Sequence, residues 1–397
     1  MIDPITEQVE ELPVSPSRTA GGGFAGRADT FLSALEPMRE QIMGVVGGLN
    51  RVVGEINQMI AIPSVNYLPA ATREEVLDGE LGDVVVTPAG LAIAGLVRGD
   101  NLLLNGNFDV WQRATSQTSN GYGSDDRWSN PSSGSTKTHT RQAFALGDTN
   151  SWDAPARYFS RTVVTSVAGA SNLVSKIQNI EDVTRTAGRT GWLTFRAKAD
   201  ASRSMSVEFS QWFGSGGSPS AAVTGIAAQK VQLTTAWQKF SLPVSLPSIA
   251  GKTLGTDGAH TSSLCLAFWF DAGTTYDART ASLGQQSGTF DIAQVKFELG
   301  EVATPFVCRS LEDELRACQR YYEIVHGVTF TSLATGIPSF PCRVPKRASP
   351  SIGTPSFGSG GTGGAFTVLA YDHTAGVYQS APHSVISAFK LPLDSEL

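Results

Sequence analysis

Two stretches decide the fold of this chain: Asn101-Leu-Leu-Leu-Asn-Gly-Asn-Phe-Asp-Val-Trp111 and Asp291-Ile-Ala-Gln-Val-Lys-Phe-Glu-Leu-Gly300. In both, apolar and polar residues alternate, which is typical of a strand with one buried face. The first stretch turns at Asn105-Gly-Asn107, and in the second the alternation slips by one residue, which indicates a β-bulge. Because the two stretches open and close one turn-rich region, we expect them to pair and to join the ends of a single sandwich.

The region between these stretches is a succession of short strand-like runs. Turns rich in Gly, Ser and Asp separate the runs, and no helical periodicity of useful length interrupts them. The pattern therefore predicts a central two-sheet antiparallel β-sandwich in a chain that is mainly β. The runs cover residues 102–111, 126–130, 157–166, 173–178, 190–198, 204–213, 228–234, 237–244, 263–270 and 289–299.

Composition narrows the class of protein. The chain has 397 residues, enough for two or three domains; only 17% are charged and 41 are glycines, unlike a typical cytosolic enzyme. A net charge of −6 gives no basic footprint, so no nucleic acid is expected as a partner. No signal peptide is recognised, and the longest apolar run, Leu91–Val97, is too short to cross a bilayer, so no membrane insertion is expected.

Cysteine and histidine placement predicts no zinc site. The four cysteines stand at positions 265, 308, 318 and 342 without a CxxC pair, and the five histidines are scattered. We therefore expect buried free thiols in a protein made in a reducing cytosol, and no cofactor.

A helical stalk is predicted over residues 28–61. One apolar seam repeats at alternating spacings of four and three residues, which is a heptad pattern; its members are Met38, Ile42, Val45, Leu49, Val52, Ile56 and Met59. Four glycines in the helix cost about 1 kcal/mol each relative to Ala, so the helix needs support. Self-association as a homotrimer is the favoured interpretation, and packing on a globular core is the alternative. Pro37 is expected to begin a new helix.

Four further segments complete the domain prediction. Residues 1–27 are rich in Pro, Ser and Gly and are expected to form an arm that becomes ordered only when bound. Residues 62–100 are predicted to form a short capped helix, a glycine turn, a strand and a second helix begun by Thr87-Pro88. Ser310 and Asp313 form a capping-box pattern at the start of a linking helix over 309–323, and residues 324–397 are predicted to be a small β domain.

With Asp125-Asp-Arg-Trp128, the opening stretch resembles the start of a jelly-roll domain common in bacteriophage tail fibres and related to carbohydrate-binding modules. The similarity continues in order over about residues 70–325. Its other elements are the Thr87-Pro88 unit, Phe213–Ser220, Leu233–Trp237, Leu246–Thr256 and Ala303–Phe306, and Phe24–Leu32 also resembles the start of phage tail proteins. The modules often carry Glu after the Phe of the opening strand, where this chain has Asp109.

This resemblance implies a virion fibre protein that attaches a phage or phage-like particle to its host. Residues 1–27 would then bind a tail or baseplate protein, residues 101–308 would form the jelly-roll body, and residues 324–397 would be distal. The expected partner outside the virion is a host cell-surface glycan, bound without being cleaved. A structural or decorating virion protein that makes only protein–protein contacts is the alternative.

Two groups of residues are candidates for glycan binding. Trp212 and Phe213 stand where a strand meets a glycine-rich loop, so one ring there could face solvent, although both could equally be core. Asp372, His373, Tyr378 and His383 follow the glycine loop 358–364 near the far end of the chain. Their side chains offer hydrogen bonds and one stacking face to a sugar.

The sequence contains no recognisable catalytic site and only two candidate metal ligands. No pair of carboxylates and no Ser-centred elbow is recognisable, and Asp125-Asp126 is simply interpreted as a turn, so the chain is not expected to be an enzyme. Gly251-Lys-Thr253 lacks the first glycine of a phosphate loop. Asp109 and Asp291 would approach one another if the two stretches paired along their length, which makes them weak candidates for a Ca²⁺ site.

Overall fold

The computed structural model describes residues 24–60, 99–257, 261–327, 339–354, 356–357, 366–371, 374–379 and 389–396. The chain divides into two compact units, Met1–Thr87 and Pro88–Leu397. Most of the predicted arm (1–27) and of the Thr87-Pro88 unit (62–100) lies outside the described residues.

In the first unit a helix, α1, runs over Phe24–Ile60. The expectation that Pro37 begins a new helix is wrong, because α1 continues through it. Apolar seam residues lie on the exposed surface of α1: Met38, Ile42, Val45, Leu49 and Val52 are 41% to 63% exposed. Ile56 is half-buried, and Met59 lies in the helix.

The second unit is built on an antiparallel β-sandwich, as predicted. Its strands are β1 (Ser116–Gln117), β2 (Ser132–Ser133), β3 (Thr136–Ala143), β4 (Tyr158–Thr165), β5 (Leu173–Ile180), β6 (Thr190–Ala199), β7 (Arg203–Trp212), β8 (Val223–Leu233), β9 (Gln238–Ser245), β10 (Ser263–Ala272) and β11 (Gly288–Leu299). They form a six-stranded sheet in the order β1-β3-β4-β11-β6-β9 and a five-stranded sheet in the order β2-β5-β10-β7-β8. Consecutive strands from β4 to β6 and from β8 to β11 alternate between the sheets, a connectivity found in jelly rolls.

Aromatic pairs join the two sheets across the core. Phe268 of β10 meets Phe195 of β6 edge to face at 5.1 Å between ring centroids, and Phe209 of β7 lies 4.6 Å from Phe297 of β11. All four rings are 0% to 1% exposed. Since burying such a ring stabilises a fold by about 1.5–3 kcal/mol, these inward-facing aromatics are a main source of the sandwich's stability.

The closing stretch is a strand with the predicted bulge. In β11 the pairing with β6 shifts register between Ala293 and Lys296, and Gln294 has a φ of +49°. The extra residue turns the side chain of Gln294 toward the outer face of the sheet, where it hydrogen-bonds a covering loop.

The prediction that the opening stretch is a strand is wrong. Asn105 and Phe108 have φ values of +52° and +55°, and the Asn105 side chain bonds the backbone of Val110. These local bonds replace a strand ladder. The expected pairing of the two stretches survives over a short length: Gly106 O accepts from Val295 N at 2.8 Å, and a Cβ at Gly106 would lie only 2.0 Å from Val295 O.

Two other differences concern residues 126–130 and β3. Residues 126–130 form a turn with one isolated bridge, from Ser129 to Ile177, and no regular strand. Conversely, β3 was missed because its sequence, Thr-Lys-Thr-His-Thr-Arg-Gln-Ala, lacks apolar residues until Ala143. Its inward side chains, Lys137 and His139, are buried against a polar part of the interior.

That polar interior is centred on an ion pair between Asp125 and Lys176, both fully buried. Asp125 also accepts from Ser124 at 2.8 Å and from Asn130 at 3.1 Å. The interpretation of Asp125-Asp126 as a turn is right for the backbone, but it missed the role of the side chain in the core. Burial and the nearby lysines hold the pKa of His139 well below its usual value.

The linking helix forms as predicted: α2 spans Leu311–Gln319, and the Ser310 hydroxyl accepts from Asp313 N at 3.1 Å. The strands that follow it are antiparallel. They are β12 (Tyr322–Gly327), β13 (Ser339–Pro341), β14 (Ser351–Ile352), β15 (Ser356–Phe357), β16 (Phe366–Tyr371), β17 (Thr374–Gln379) and β18 (Phe389–Asp394). Thus β12, β14 and β15 pair with β18, while β13 and β16 pair with β17.

The end of the chain is joined to the sandwich by buried charges. Glu396 pairs with Arg127, whose guanidinium stacks 3.3 Å from the Tyr321 ring centroid. Arg113 binds Glu396 at 3.3 Å and Asp394 at 2.9 Å. Residues 322–327 and 389–396 therefore pack as part of the same body as the sandwich, and we do not expect residues 101–323 to fold normally without them.

Candidate functional site

Of the two aromatic candidates next to the glycine-rich loop, only Trp212 is exposed. Its side chain is 47% exposed at the end of β7 and donates from Nε1 to Ser210 Oγ at 2.9 Å. Phe213 is 2% exposed and therefore cannot stack on a sugar, which corrects its assignment. The next residue along a strand points to the opposite face, so one ring of the pair faces out and the other enters the core.

The C-terminal candidates are only partly visible. Tyr378 lies in β17, paired with Ser339 of β13 and Thr367 of β16. Asp372, His373, His383 and the glycine loop 358–364 lie outside the described residues.

The two weak metal candidates do not share a site. Asp291 is 2% exposed and is held by Arg161 through two hydrogen bonds of 2.7 and 2.8 Å. Asp109 accepts from Asn107 at 2.9 Å beside Cys308, and burial raises the pKa of its carboxyl. In the described part of the chain no cluster of three or more His, Cys, Asp or Glu side chains has the arrangement of a metal site.

The four cysteines form no disulfide. Burial raises the pKa of the Cys308 and Cys342 thiols to about 11 and that of Cys265 to about 12. Thiols with such pKa values are poor nucleophiles near neutral pH, which makes them unsuited to catalysis. No helix in the described residues is long and apolar enough to span a membrane.

A different surface combines aromatic rings with charges on the outer face of the six-stranded sheet. Arg161 of β4, Asp291 of β11 and Lys198 of β6 are direct neighbours across three strands. In the row beyond them, Arg196 of β6 is paired with Lys239 of β9. We call the surface formed by Arg161, Arg196, Lys198, Lys239 and the four rings Phe144, Trp152, Phe159 and Trp237 the cationic face.

The rings of the cationic face form one cluster. Trp237 contacts Phe159 at 5.2 Å and Trp152 at 5.5 Å, both nearly edge to face, and Phe144 lies 4.7 Å from Phe159. Phe159 is 6% exposed, whereas the other three rings are half-buried. Half-buried indoles held by their neighbours are rigid apolar platforms.

A loop brings Trp152 to the sheet, and the bulge of β11 fixes that loop. Gln294 Nε2 donates to Ala154 O at 2.6 Å, and Gln294 Oε1 accepts from Arg196 Nε at 3.2 Å. Arg196 Cζ lies 4.4 Å from the Trp152 ring centroid. The bulge residue Gln294 therefore connects β11 to Arg196 and to the loop that carries Trp152.

The acids of this face lie beneath its cations. Asp291 is buried, while the side chains of Arg161 and Lys198 are 34% and 27% exposed. The hydrogen bond from Arg161 to Asp291 raises the pKa of the arginine. Burial alone would raise the pKa of Asp153, but hydrogen bonds from Lys239 and from Phe306 N lower it. Both carboxyls are thus neutralised from the solvent side, and the accessible charge is positive.

Sequence reasoning missed this surface because its residues are far apart in the chain. Trp152 lies in a loop with no motif, and Trp237 follows an ordinary turn. The available signal was the alternation within β6, where Arg196 and Lys198 are the polar members of a buried strand.

No protein-family model matches the chain, and no curated protein matches it by sequence. Solved structures of carbohydrate-binding modules are similar to about half of it. A CBM4 structure has 16% identity and a TM-score of 0.27, covering 49% of this chain and 98% of its own. The CBM22-1 xylan-binding domain of Xyn10C from Paenibacillus barcinonensis has 13% identity and a TM-score of 0.27, covering 52% and 97%.

The family 11 module from Clostridium thermocellum, in complex with a β-1,3-1,4-mixed-linked tetrasaccharide, has 9% identity and a TM-score of 0.28. It covers 47% of this chain and 96% of its own. At these TM-scores the similarity is no argument for a site. The description of the fold therefore depends on the observed strand order, and the description of the cationic face depends on the distances within it.

Proposed function

We propose that this protein binds a glycan through the cationic face, without cleaving it. The observation that carries the proposal is the cluster of rings around Trp237, three of them half-buried, with cations within 6 Å of them on the outer side of the six-stranded sheet. A sugar has an apolar face of CH groups that packs on an indole, and hydroxyls that accept from guanidinium and ammonium groups. A sheet face suits an extended chain of sugars, because it offers neighbouring contacts along several strands.

We further propose that the chain is a fibre protein of a phage or phage-like particle, located in the virion, which attaches to its host through this glycan. Its support is the order of sequence similarities from Phe24–Leu32 to Ala303–Phe306. The N-terminal region would bind a tail or baseplate protein. Asp372, His373, Tyr378 and His383 are a second candidate surface for the same glycan.

A homotrimer would turn weak binding into firm attachment. The seam of α1 exposes five large apolar side chains in a heptad pattern, and such a seam is complementary to copies of itself. Three linked sites raise the effective concentration of the second and third binding events, so avidity exceeds the affinity of one site.

We expect Trp237→Ala to weaken glycan binding at least tenfold, a loss of about 1.4 kcal/mol, because it removes the central ring of the cluster. Binding is measured with the full chain on an array of bacterial surface glycans and then by titration with the best binder. Trp212→Ala is the matched control, since it removes an exposed indole from the other sheet. A loss of binding in Trp212→Ala but not in Trp237→Ala would move the site to the five-stranded sheet. Absence of binding to any glycan would contradict the proposal.

For the stalk, we expect the double substitution Ile42→Asp and Leu49→Asp to convert a trimer into a monomer, because charges at seam positions cannot be buried between helices. Analytical ultracentrifugation measures the mass, and circular dichroism monitors the sandwich, which should not change. Met43→Asp is the control: Met43 is 43% exposed but lies off the seam, so that variant should stay trimeric. An unaltered protein that sediments as a monomer or dimer would refute the trimer.

The alternative is a structural or decorating virion protein that makes only protein–protein contacts. It is favoured by one observation, the exposed apolar seam of α1, which would serve assembly equally well. Particle adsorption to cells in the presence of competing free protein separates the two functions, because only an adhesion protein inhibits adsorption.

A further inference from the structure

The geometry points to an anionic glycan as the ligand of the cationic face: a polysaccharide whose repeating unit carries a carboxylate or a sulfate. This inference rests on the proposed glycan binding and names the class of glycan. It starts from a contrast of charge, since the whole chain has a net charge of −6 whereas this face has an excess of cations.

The excess is visible in the ion pairs. Four cations, Arg161, Arg196, Lys198 and Lys239, stand on this face, and the two carboxylates that pair with three of them are Asp291 and Asp153. Arg196 makes no ion pair within 4 Å among the described residues. Two positive charges are therefore uncompensated on the cationic face.

The depth of the charges matters as much as their number. The Asp291 side chain is 3% exposed, against 34% for Arg161 and 27% for Lys198. On the neighbouring row the Asp153 side chain is 20% exposed and that of Lys239 is 38% exposed. Each acid is thus covered by its cations, and a ligand arriving from solvent meets ammonium and guanidinium groups first.

The cations also stand beside the stacking rings. Lys198 Nζ lies 5.2 Å from the Trp237 ring centroid, and Arg161 Cζ lies 5.5 Å from that of Phe159. A sugar ring stacked on Trp237 would place a substituent at its rim near these groups. A carboxylate or sulfate there would receive charge-assisted hydrogen bonds, which are stronger than those to a neutral hydroxyl.

The test measures the binding of three polysaccharides to the full-length protein by isothermal titration calorimetry. The charged polymers are polygalacturonate and dextran sulfate. Uncharged dextran is the control, because it has the same backbone as dextran sulfate. We expect at least one charged polymer to bind tenfold or more tightly than dextran. Its affinity should fall several-fold between 50 and 500 mM salt, because salt screens partly exposed charges. The arm that binds distinguishes a carboxylate ligand from a sulfate ligand.

Substitutions test whether the charged polymer binds at the cationic face. Arg196→Gln and Lys198→Gln should each weaken binding of the charged polymer at least fivefold, and Lys198→Gln should do so with an unchanged melting temperature. Lys252→Gln, an exposed lysine near Phe213 on another surface, should change it less than twofold. Equal losses in all three variants would indicate nonspecific attraction and overturn the inference.

Two further outcomes separate this inference from the proposed function. If a glycan array shows binding to neutral glycans only, or if dextran binds as tightly as the charged polymers, the anionic class is wrong while glycan binding stands. If the array and all three polymers show no binding, the proposed function fails, and this inference fails with it.

Discussion

Glu396→Gln should lower the free energy of unfolding by about 3–5 kcal/mol, because it removes a carboxylate that pairs with two buried arginines, of which Arg127 has no other ion pair among the described residues. The Arg127 side chain is 2% exposed and that of Arg113 is 7% exposed. Glutamine keeps the volume but not the charge, so an uncompensated guanidinium stays in the interior. Urea unfolding followed by tryptophan fluorescence measures the change.

Glu312→Gln is the matched control. It also removes one carboxylate from an arginine pair, but the side chains of Arg316 and Glu312 are 65% and 72% exposed. Exposed pairs of this kind contribute about 0.3–0.5 kcal/mol. If Glu396→Gln were no more destabilising than Glu312→Gln, the end of the chain would not stabilise the sandwich, and residues 101–323 could fold alone.

Asp125→Asn should be comparably destabilising, by about 3–5 kcal/mol, because it leaves the charge of Lys176 alone inside the sandwich. Both side chains are 0% exposed. Burial already lowers the pKa of Lys176, and loss of Asp125 would lower it further. The variant should therefore regain stability as pH rises from the lowered folded pKa of the lysine toward its unfolded pKa, because over that range only the unfolded chain still binds the proton.

A double-mutant cycle tests the pairing. Lys176→Met alone should also destabilise, whereas Lys176→Met combined with Asp125→Asn should be less destabilised than the sum of the two single variants, because no uncompensated charge remains. Asp200→Asn is the surface control, since the Asp200 side chain is 42% exposed in its pair with Arg203. Strict additivity of the two core substitutions would show that the pair is not coupled.

The sequence by itself determined the regular parts of this protein. Apolar alternation and turn residues identified the strands from β4 to β11, and the slip of phase after Asp291 identified the bulge. Ser310 fixed the start of α2, because a cap is a bond between residues three apart in the chain. Each of these features depends on neighbours in sequence, whose spacing the chain displays directly.

Only the tertiary structure decided the polar and aromatic clusters. Asp125 meets Lys176 across 51 residues, Asp291 meets Arg161 across 130, and Phe159 meets Trp237 across 78 positions of the sequence. The opening stretch has strand alternation, yet the Asn105 side chain bonds the backbone of Val110 and prevents a ladder. The energy of such contacts depends on burial and on a partner's position, and both are fixed only when the two sheets pack together.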